Sequence, residues 1–172
     1  YIITVASLTI GLVLTACQVQ LVEPPSTNRQ LEANKAVVAR FYEEIWNEGK
    51  YEGADEIIAS DFISRVTGNE GPDAITNVVK MWRGAFPDME LSFEIVAAEG
   101  DIVVTKLTNH QGAYAGGLPP FFGIPDSAIG TEAITEGYDF ARIKDGKYVE
   151  AWIQHDDVGW YSQFGMEMQP TQ

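Results

Sequence analysis

Residues 131–156 read TEAITEGYDFARIKDGKYVEAWIQHD, and this stretch decides the fold. Two runs in which apolar and polar residues alternate, 131–143 and 147–156, predict two β-strands. They are joined by Asp145-Gly146, a strong signal for a tight two-residue turn. We therefore predict an antiparallel hairpin in which Lys144 faces Lys147.

The register of this hairpin predicts which side chains share a face. With a two-residue turn, Ile143 faces Tyr148 and Asp139 faces Trp152, and side chains alternate between the two faces. One predicted face carries Asp139, Ala141, Glu150, Trp152, Gln154 and Asp156. The other carries Tyr138, Phe140, Arg142, Val149, Ala151, Ile153 and His155. Carboxylates beside an indole are typical of a binding cavity, so the first face is predicted to line one, and the apolar second face to pack or dimerise.

Asp156 is the predicted general acid/base on the cavity face. A carboxylate beside aromatic walls loses hydration, which raises its pKa toward the range in which it exchanges protons with carbon acids. In the same register His155 stands opposite Glu136 on the other face, and Asp157 turns to solvent. A slip of one residue would exchange these roles.

The chain before the hairpin predicts helices followed by strands. Residues 30–48 place an apolar stripe of Val38, Phe41, Tyr42, Ile45 and Trp46 on one helix, and a second amphipathic helix lies within 71–88. A short helix over 52–59 and a brief strand over 61–66 separate them. Further strands are predicted over 89–98 and 101–110. This order indicates an α+β fold in which the antiparallel sheet curls over the helices.

The segment 115–130 is rich in Gly and Pro, which indicates an irregular loop. Its side chains Leu118, Phe121, Phe122 and Ile124 are too apolar to stand free in water. Two interpretations stay open: the loop folds over the mouth of a pocket, or it merely caps the core.

Composition excludes several classes of function. The chain has 172 residues, of which 45% are hydrophobic, and this suits one domain. Its 11 basic and 25 acidic residues give a net charge of −14, which repels phosphate backbones, so we expect no nucleic-acid partner. One cysteine excludes an intrachain disulfide. Because the two histidines are isolated and no Cys/His cluster has zinc spacing, we expect no metal and no cofactor.

The N-terminal stretch YIITVASLTIGLVLTAC, residues 1–17, carries no charge and no starting methionine. We expect the sequence to begin within a secretory signal. The end of this stretch, Leu14-Thr15-Ala16-Cys17, resembles the bacterial lipobox, so Cys17 is the predicted lipidation site and 18–33 a polar tether. A lipid anchor would place the protein outside the cytoplasm, on a bacterial membrane. The alternative is a buried apolar segment with a chance cysteine.

Several segments together resemble the SnoaL-like polyketide cyclase family, especially its ester cyclase branch. They are NKAVVARFYEEIWNEGKYEGADEIIASDF, AFPDMELSFEIVAAEGDIVVTKLTNHQGAYAG, FGIP and GYDFARIKDGKYVEAWIQHDDVGWYSQFG. The resemblance covers about 34–165, leaving 166–172 as a tail, and implies the cone-shaped nuclear-transport-factor-2-like fold. It also implies a metal-free, cofactor-free intramolecular aldol ring closure, with Asp156 as the general acid/base and Asp139 at the position of a pocket histidine.

The resemblance also assigns the remaining polar positions of the site. Ser64 stands where the family has His or Asn, and Tyr114 replaces the histidine of the GTHxG motif, which here reads GAYAG. His110 lies four residues before Tyr114, and GIPPTG appears as GIPDSAIG. The predicted substrate-binding residues are Tyr42, Ser64, Trp82, His110, Tyr114, Phe122, Trp152 and Gln154. Trp46, Trp82 and Tyr42 are also ordinary core residues by pattern.

Three hypotheses on function remain open at this point. The first is a cofactor-free enzyme of cyclase, isomerase or hydrolase type, in which Asp156 abstracts a proton beside a carbonyl and Asp139, Tyr114 or His110 binds the enolate. The second is a membrane-anchored binding protein for a small apolar molecule. The third is an accessory domain that uses the apolar outer face of the sheet, although that face more simply predicts a homodimer.

Overall fold

The structure is a computed structural model that describes residues 28–167. The predicted signal segment, Cys17, the part of the tether before residue 28 and the tail after residue 167 lie outside the described residues. Within 28–167, no helix is both long enough and apolar enough to cross a bilayer.

The N-terminal helix has two parts. Helix α1, Asn28–Arg40, continues directly into a π-helical segment, Phe41–Asn47. Val38, Phe41, Tyr42 and Ile45 are all buried, as the apolar stripe predicts. A 3-10 turn, Tyr51–Gly53, and the short helix α2, Ala54–Ile57, follow. The predicted helix over 52–59 is shorter because the first strand already begins at Ile58.

Helix α3, Gly71–Ala85, is the second predicted amphipathic helix. Ile75 and Val79 are buried on its inner side, and Pro72 occupies its first turn, where a missing backbone N–H is harmless. The helix ends just before Pro87, as the pattern predicts.

Five strands form one curved sheet in the order β1-β5-β4-β3-β2. The strands are β1 (Ile58–Ser64), β2 (Glu90–Glu99), β3 (Ile102–Ala113), β4 (Glu132–Lys144) and β5 (Lys147–His155). Strands β2 to β5 pair antiparallel, and β1 adds to the edge parallel to β5. The α+β fold with a curved sheet over N-terminal helices is therefore confirmed.

The interior consists of two hydrophobic clusters. The first lies between the sheet and the N-terminal helices and includes Val38, Ile45, Val103 and Tyr148. The second lies at one end of the sheet, where Phe86, Tyr114, Trp160 and Phe164 are buried together. We call these the helix cluster and the aromatic cluster.

A short helix that the sequence pattern did not predict covers the aromatic cluster. This helix, α4, spans Asp157–Gln163 and buries Trp160. The loop over 115–130 contributes Leu118, Phe122 and Ile124 to the same cluster, while Phe121 is 79% exposed. The loop thus caps the core, which was one of the two interpretations.

Candidate functional site

The β4–β5 hairpin begins as predicted and then changes register. Asp145 and Gly146 both have positive φ, as a two-residue turn of this kind requires, and Lys144–Lys147 and Ile143–Tyr148 pair as expected. Beyond them Arg142 pairs with Glu150, because Val149 is an extra residue in a β-bulge. The predicted pairing of Asp139 with Trp152 is therefore wrong; Asp139 pairs with Ile153.

The bulge separates residues that the prediction placed on one face. Asp139, Ala141 and Ala151 face the interior and are fully or almost fully buried. Trp152 pairs with the half-exposed Phe140 and Gln154 with the half-exposed Tyr138, so both stand on the outer face. Ala151 and Ile153, predicted to face outward, instead pack into or against the helix cluster. Glu150 stands on the outer face opposite Arg142, where its side chain is only 13% exposed and pairs with Arg65 and Arg142.

Asp156 lies outside the interior, at the start of α4. It is exposed, and its Oδ1 accepts a hydrogen bond of 2.9 Å from the backbone N–H of Gly159. This is the geometry of an N-terminal helix cap, which is a preferred position for aspartate. The predicted geometry, in which Asp139 and Asp156 face inward together, is wrong. The catalytic role predicted for Asp156 stays a prediction.

Asp139 is the carboxylate that the fold places in the interior. It has no exposed surface, and its Oδ2 accepts hydrogen bonds from the hydroxyls of Tyr42, at 2.7 Å, and Tyr148, at 2.5 Å. Both donors bind the same oxygen. The other oxygen, Oδ1, is buried without a hydrogen-bond partner among the described residues. We call this group the Asp139 cluster.

Burial and the tyrosines act on the Asp139 carboxyl in opposite directions. Burial disfavours the charged form and raises the pKa of Asp139 to about 6, while the hydrogen bonds from Tyr148 and Tyr42 oppose part of this rise. Burial, together with the nearby Asp139 charge, raises the pKa of both tyrosines well above 10, so they remain donors. Asp139 can therefore exchange a proton near neutral pH.

Local structure explains how the two tyrosines reach Asp139. Tyr42 comes from the π-helical segment, whose wider turns are rare and frequently occur at functional sites. Tyr148 lies two residues after Gly146 of the hairpin turn and packs edge-on against Phe41 and Phe62, with its ring centroid 4.8 and 5.3 Å from theirs. Sequence reasoning found Tyr42 and Asp139 but missed Tyr148. The signal was present, because the correctly predicted pair Ile143–Tyr148 lies on the same face of the hairpin as Asp139.

Three further buried polar atoms have no hydrogen-bond partner within residues 28–167. They are Thr105 Oγ1, Asn109 Oδ1 and Trp46 Nε1, in addition to Asp139 Oδ1. Thr105 is directly opposite Asp139 on the neighbouring strand and has no exposed surface. Buried polar groups are nearly always hydrogen-bonded in proteins, so four such atoms along one interior indicate a place for polar ligand groups or bound water.

The aromatic members of the predicted site lie in the aromatic cluster. Trp82 contacts Phe122 and Trp160 with ring centroids 5.3 and 5.7 Å apart, and Tyr114 packs on Phe86 at 5.3 Å. These rings contact one another and form a packed end wall. The structure does not bring them to Asp139.

The other predicted residues lie apart from the Asp139 cluster. Ser64 is buried at the end of β1, where its Oγ accepts a hydrogen bond from the backbone N–H of Thr67. His110 is exposed and lines a surface depression of about 410 Å³ together with Gly112, Glu132 and Gln163. Trp152 and Gln154 lie on the outer face of the sheet, opposite Phe140 and Tyr138, and so do not reach the interior. The predicted substrate-binding set is thus divided among five places, with only Tyr42 in the Asp139 cluster.

His155 lies at the end of β5 opposite Gly137. The predicted pairing of His155 with Glu136 is wrong by one residue, because the bulge shifts the register. Part of the side chain is exposed, but the ring lies so close to Gly137 that a Cβ there would stand 2.6 Å from His155 Cδ2. Partial desolvation of the imidazole lowers the pKa of His155, against a smaller opposing effect of the Asp157 charge. Within 28–167, no group of three or more His, Cys, Asp or Glu side chains could hold a metal ion.

Comparison with known proteins identifies the fold. A model of the family described as SnoaL-like polyketide cyclase matches residues 36–164. TsrD from Streptomyces laurentii is 23% identical, with a TM-score of 0.67 over 78% of this chain and 96% of that one. A Jannaschia sp. CCS1 protein described as a SnoaL-like polyketide cyclase is 24% identical, with a TM-score of 0.67 over 80% and 94%.

IdmH from Streptomyces antibioticus is 23% identical, with a TM-score of 0.63 over 77% of this chain and 99% of that one. At these identities the solved structures establish a shared fold. None of the curated proteins matches the chain.

Proposed function

The chain belongs to the SnoaL-like polyketide cyclase family, which supports a cyclase-type function, and we propose that it is a cofactor-free acid/base enzyme. Its substrate is a small apolar carbonyl or ester compound. One observation carries this proposal. Asp139 is a buried carboxyl with a pKa of about 6; two tyrosines bind one of its oxygens, and the other has no hydrogen-bond partner in the described part of the chain.

The reaction uses the two oxygens of Asp139 differently. Oδ1 takes a proton from the carbon next to a substrate carbonyl, and the C–H electron pair moves to that carbonyl oxygen as an enolate. The enolate carbon then attacks a second carbonyl carbon of the same molecule and forms the ring bond. Asp139 returns its proton to the new alkoxide, so no external reactant is consumed. A general base with a pKa near the working pH suits this step.

Tyr42 and Tyr148 are positioning residues in this scheme. Their hydroxyls donate to Oδ2, which fixes the carboxylate and favours its charged form. Because Asp139 is fully buried, the substrate has to displace half-buried side chains around the helix cluster. Phe93 is one of these, with its ring centroid 5.4 Å from that of Tyr42.

The test measures proton abstraction directly. Heptane-2,6-dione in D₂O exchanges the protons next to its carbonyls for deuterium, and NMR follows the loss of signal. We expect the wild type to accelerate exchange and Asp139→Asn to lose roughly 10²-fold or more of this rate. Tyr42→Phe should keep activity but move the midpoint of its pH profile above that of the wild type, because one hydrogen bond to the charged carboxylate is gone.

Asp156→Asn is the matched control, since asparagine also caps helices. We expect its exchange rate to equal that of the wild type. A loss with Asp156→Asn and none with Asp139→Asn would instead support the sequence prediction for Asp156. Binding of the dione without exchange in any of the proteins would support the alternative function, a small-molecule-binding protein.

We also propose that Cys17 carries a lipid that holds the domain on the outer side of a bacterial membrane. The lipobox-like Leu14-Thr15-Ala16-Cys17 supports this proposal. Cys17→Ala should move the protein from the membrane fraction to the soluble fraction after cell lysis, and incorporation of radiolabelled palmitate should be lost. Palmitate labelling that persists in Cys17→Ala would contradict the proposal.

A further inference from the structure

Two of the unpartnered polar atoms lie beyond the Asp139 cluster and are complementary in kind. Trp46 Nε1 is a buried hydrogen-bond donor, and Asn109 Oδ1 is a buried acceptor. Leaving such a group unpaired costs about 1–3 kcal/mol of folding free energy. An indole nitrogen can only donate, so Trp46 requires an acceptor from elsewhere.

Shared neighbours place these two side chains in one region of the interior. Nη1 of Arg83 donates to the backbone carbonyls of Trp46, at 2.9 Å, and Met89, at 3.4 Å. Nδ2 of Asn109 donates to the sulfur of that same Met89, at 3.4 Å. Because the Asn109 amide nitrogen is engaged in this way, its oxygen is the group left for a ligand.

A second connection runs through the edge of the sheet. The side chain of Asn47, next to Trp46, brackets Leu91 with hydrogen bonds of 2.8 and 2.9 Å to its backbone carbonyl and N–H. Leu91 is the strand partner of Asn109. Trp46 also packs against both the helix cluster and the aromatic cluster, so it lies at their junction.

The π-helical segment supplies this arrangement. It carries both Tyr42, which binds Asp139, and Trp46, four residues later. One unusual segment therefore delivers both the tyrosine that holds the Asp139 carboxyl and an unused donor at the junction of the two clusters. Segments of this kind are frequently functional.

We propose that Trp46 and Asn109 determine specificity by binding the two polar ends of an apolar ligand. Trp46 Nε1 donates to a carbonyl oxygen, and Asn109 Oδ1 accepts from a hydroxyl. The ligand class is therefore a small hydroxy-ketone or hydroxy-ester with an apolar body. This inference rests on the proposed function in that such a ligand is the substrate of Asp139, but its test requires no turnover.

The experiment uses two probes of similar shape and calorimetric or NMR titration of the domain. 4′-Hydroxyacetophenone carries a carbonyl and a hydroxyl, whereas 4-ethyltoluene carries neither. We expect Trp46→Phe and Asn109→Leu each to weaken binding of the hydroxy-ketone about tenfold, which is the effect of one lost hydrogen bond. Binding of 4-ethyltoluene should change less than twofold.

Trp160→Phe is the matched control, because its indole N–H already has a partner, Gln111 Oε1, at 2.5 Å. This variant should lower the melting temperature more than Trp46→Phe does and leave probe affinity unchanged. Three results would each overturn the inference: Trp160→Phe loses as much affinity as Trp46→Phe, Trp46→Phe keeps its affinity, or the wild type does not bind the hydroxy-ketone. If Asp139→Asn binds the hydroxy-ketone as the wild type does but no longer catalyses proton exchange, both proposals stand. If proton exchange depends on Asp139 but affinity does not depend on Trp46, only the present inference is overturned.

Discussion

Asp139 illustrates how one side chain acquires a property that its residue type does not have in water. Its backbone position on the inner face of β4 fixes the burial. Tyr42 from the π-helical segment and Tyr148 from the adjoining strand β5 fix one of its oxygens. Burial raises the pKa more than these hydrogen bonds lower it. The balance leaves a carboxyl that changes charge near pH 6.

This balance predicts a pH dependence of stability. The folded pKa of Asp139, about 6, lies above its ordinary value of 3.8, so the native state binds the proton more tightly than the unfolded state. The contribution of this group to stability is therefore complete below about pH 4 and is lost as pH rises through 6. The difference between the two values corresponds to roughly 3 kcal/mol.

Urea unfolding of the wild type and Asp139→Asn at pH 4, 5, 6 and 7 checks this expectation. The free energy of unfolding of the wild type should fall, relative to that of the variant, by on the order of 3 kcal/mol across this range. Using the difference cancels the titration of the other carboxylates. Parallel curves for the two proteins would mean that Asp139 does not titrate in this interval.

At the residue scale, the sequence predicts which polar side chains are buried more readily than it predicts their hydrogen-bond partners. Tyr42 and Asp139 follow from helical and strand periodicity. The hydrogen bond from Tyr148 to Asp139 does not: the predicted pair Ile143–Tyr148 places both side chains on one face, but alternation does not predict that the hydroxyl reaches the carboxylate. Pairwise contacts between strands are therefore less predictable than the face of a single strand.

At the element scale, the β4–β5 hairpin shows what a turn motif can and cannot fix. Asp145-Gly146 determines the first pairs correctly, and the bulge then changes all the later ones. A regular pairing would have turned Glu150 and Trp152 inward. With the bulge, the small Ala151 takes the interior position, and Glu150 forms ion pairs with Arg65 and, at 2.9 Å, Arg142.

The sequence pattern does not predict helix α4, because the helix begins directly after the predicted end of the strand over 147–156. Asp156 caps the helix, and Trp160 and Phe164, four residues apart, bury one side of it against the aromatic cluster. The side chain of Gln163 then bonds to both the N–H and the carbonyl of Ile134, at 2.8 and 2.9 Å. Seven residues give too short a pattern for periodicity alone to identify them.

The cap predicts a difference between two substitutions of Asp156. Asp156→Ala removes the oxygen that accepts from Gly159 and should lower the free energy of unfolding by about 1 kcal/mol. Asp156→Asn keeps an acceptor at the same place and should change it by only a few tenths. Chemical denaturation measures both. Equal destabilisation by the two would assign the effect to the lost charge instead of the cap.

At the scale of the whole molecule, the outer face of the sheet is the surface best suited to self-association. Tyr138 and Phe140 are 45% and 40% exposed there, and Phe140 pairs with Trp152 and Val104 on the neighbouring strands. Arg142 lies 5.6 Å from the Trp152 ring centroid. We keep the sequence prediction of a homodimer as a proposal, with its interface assigned to these residues.

Because the observed register differs from the predicted one, a different substitution is needed to test the dimer. Ile153→Asp, which the predicted register suggests, would place a carboxylate against the helix cluster and destabilise the fold. Phe140→Asp instead changes the outer face, where the exposed ring would otherwise contact a second copy. We expect the wild-type domain to elute as a dimer in size-exclusion chromatography with light scattering, and Phe140→Asp to elute as a monomer with unchanged far-UV circular dichroism.

Val158→Asp supplies the control for this experiment, since Val158 is 55% exposed on α4 instead of the sheet. It adds the same charge to a chain whose net charge is already −14, so any effect of charge alone would appear in both variants. The dimer should persist in Val158→Asp, because only the outer face of the sheet loses an apolar contact in Phe140→Asp. Dimers in both variants would exclude this face as the interface, and monomers in both would attribute dissociation to electrostatic repulsion between copies.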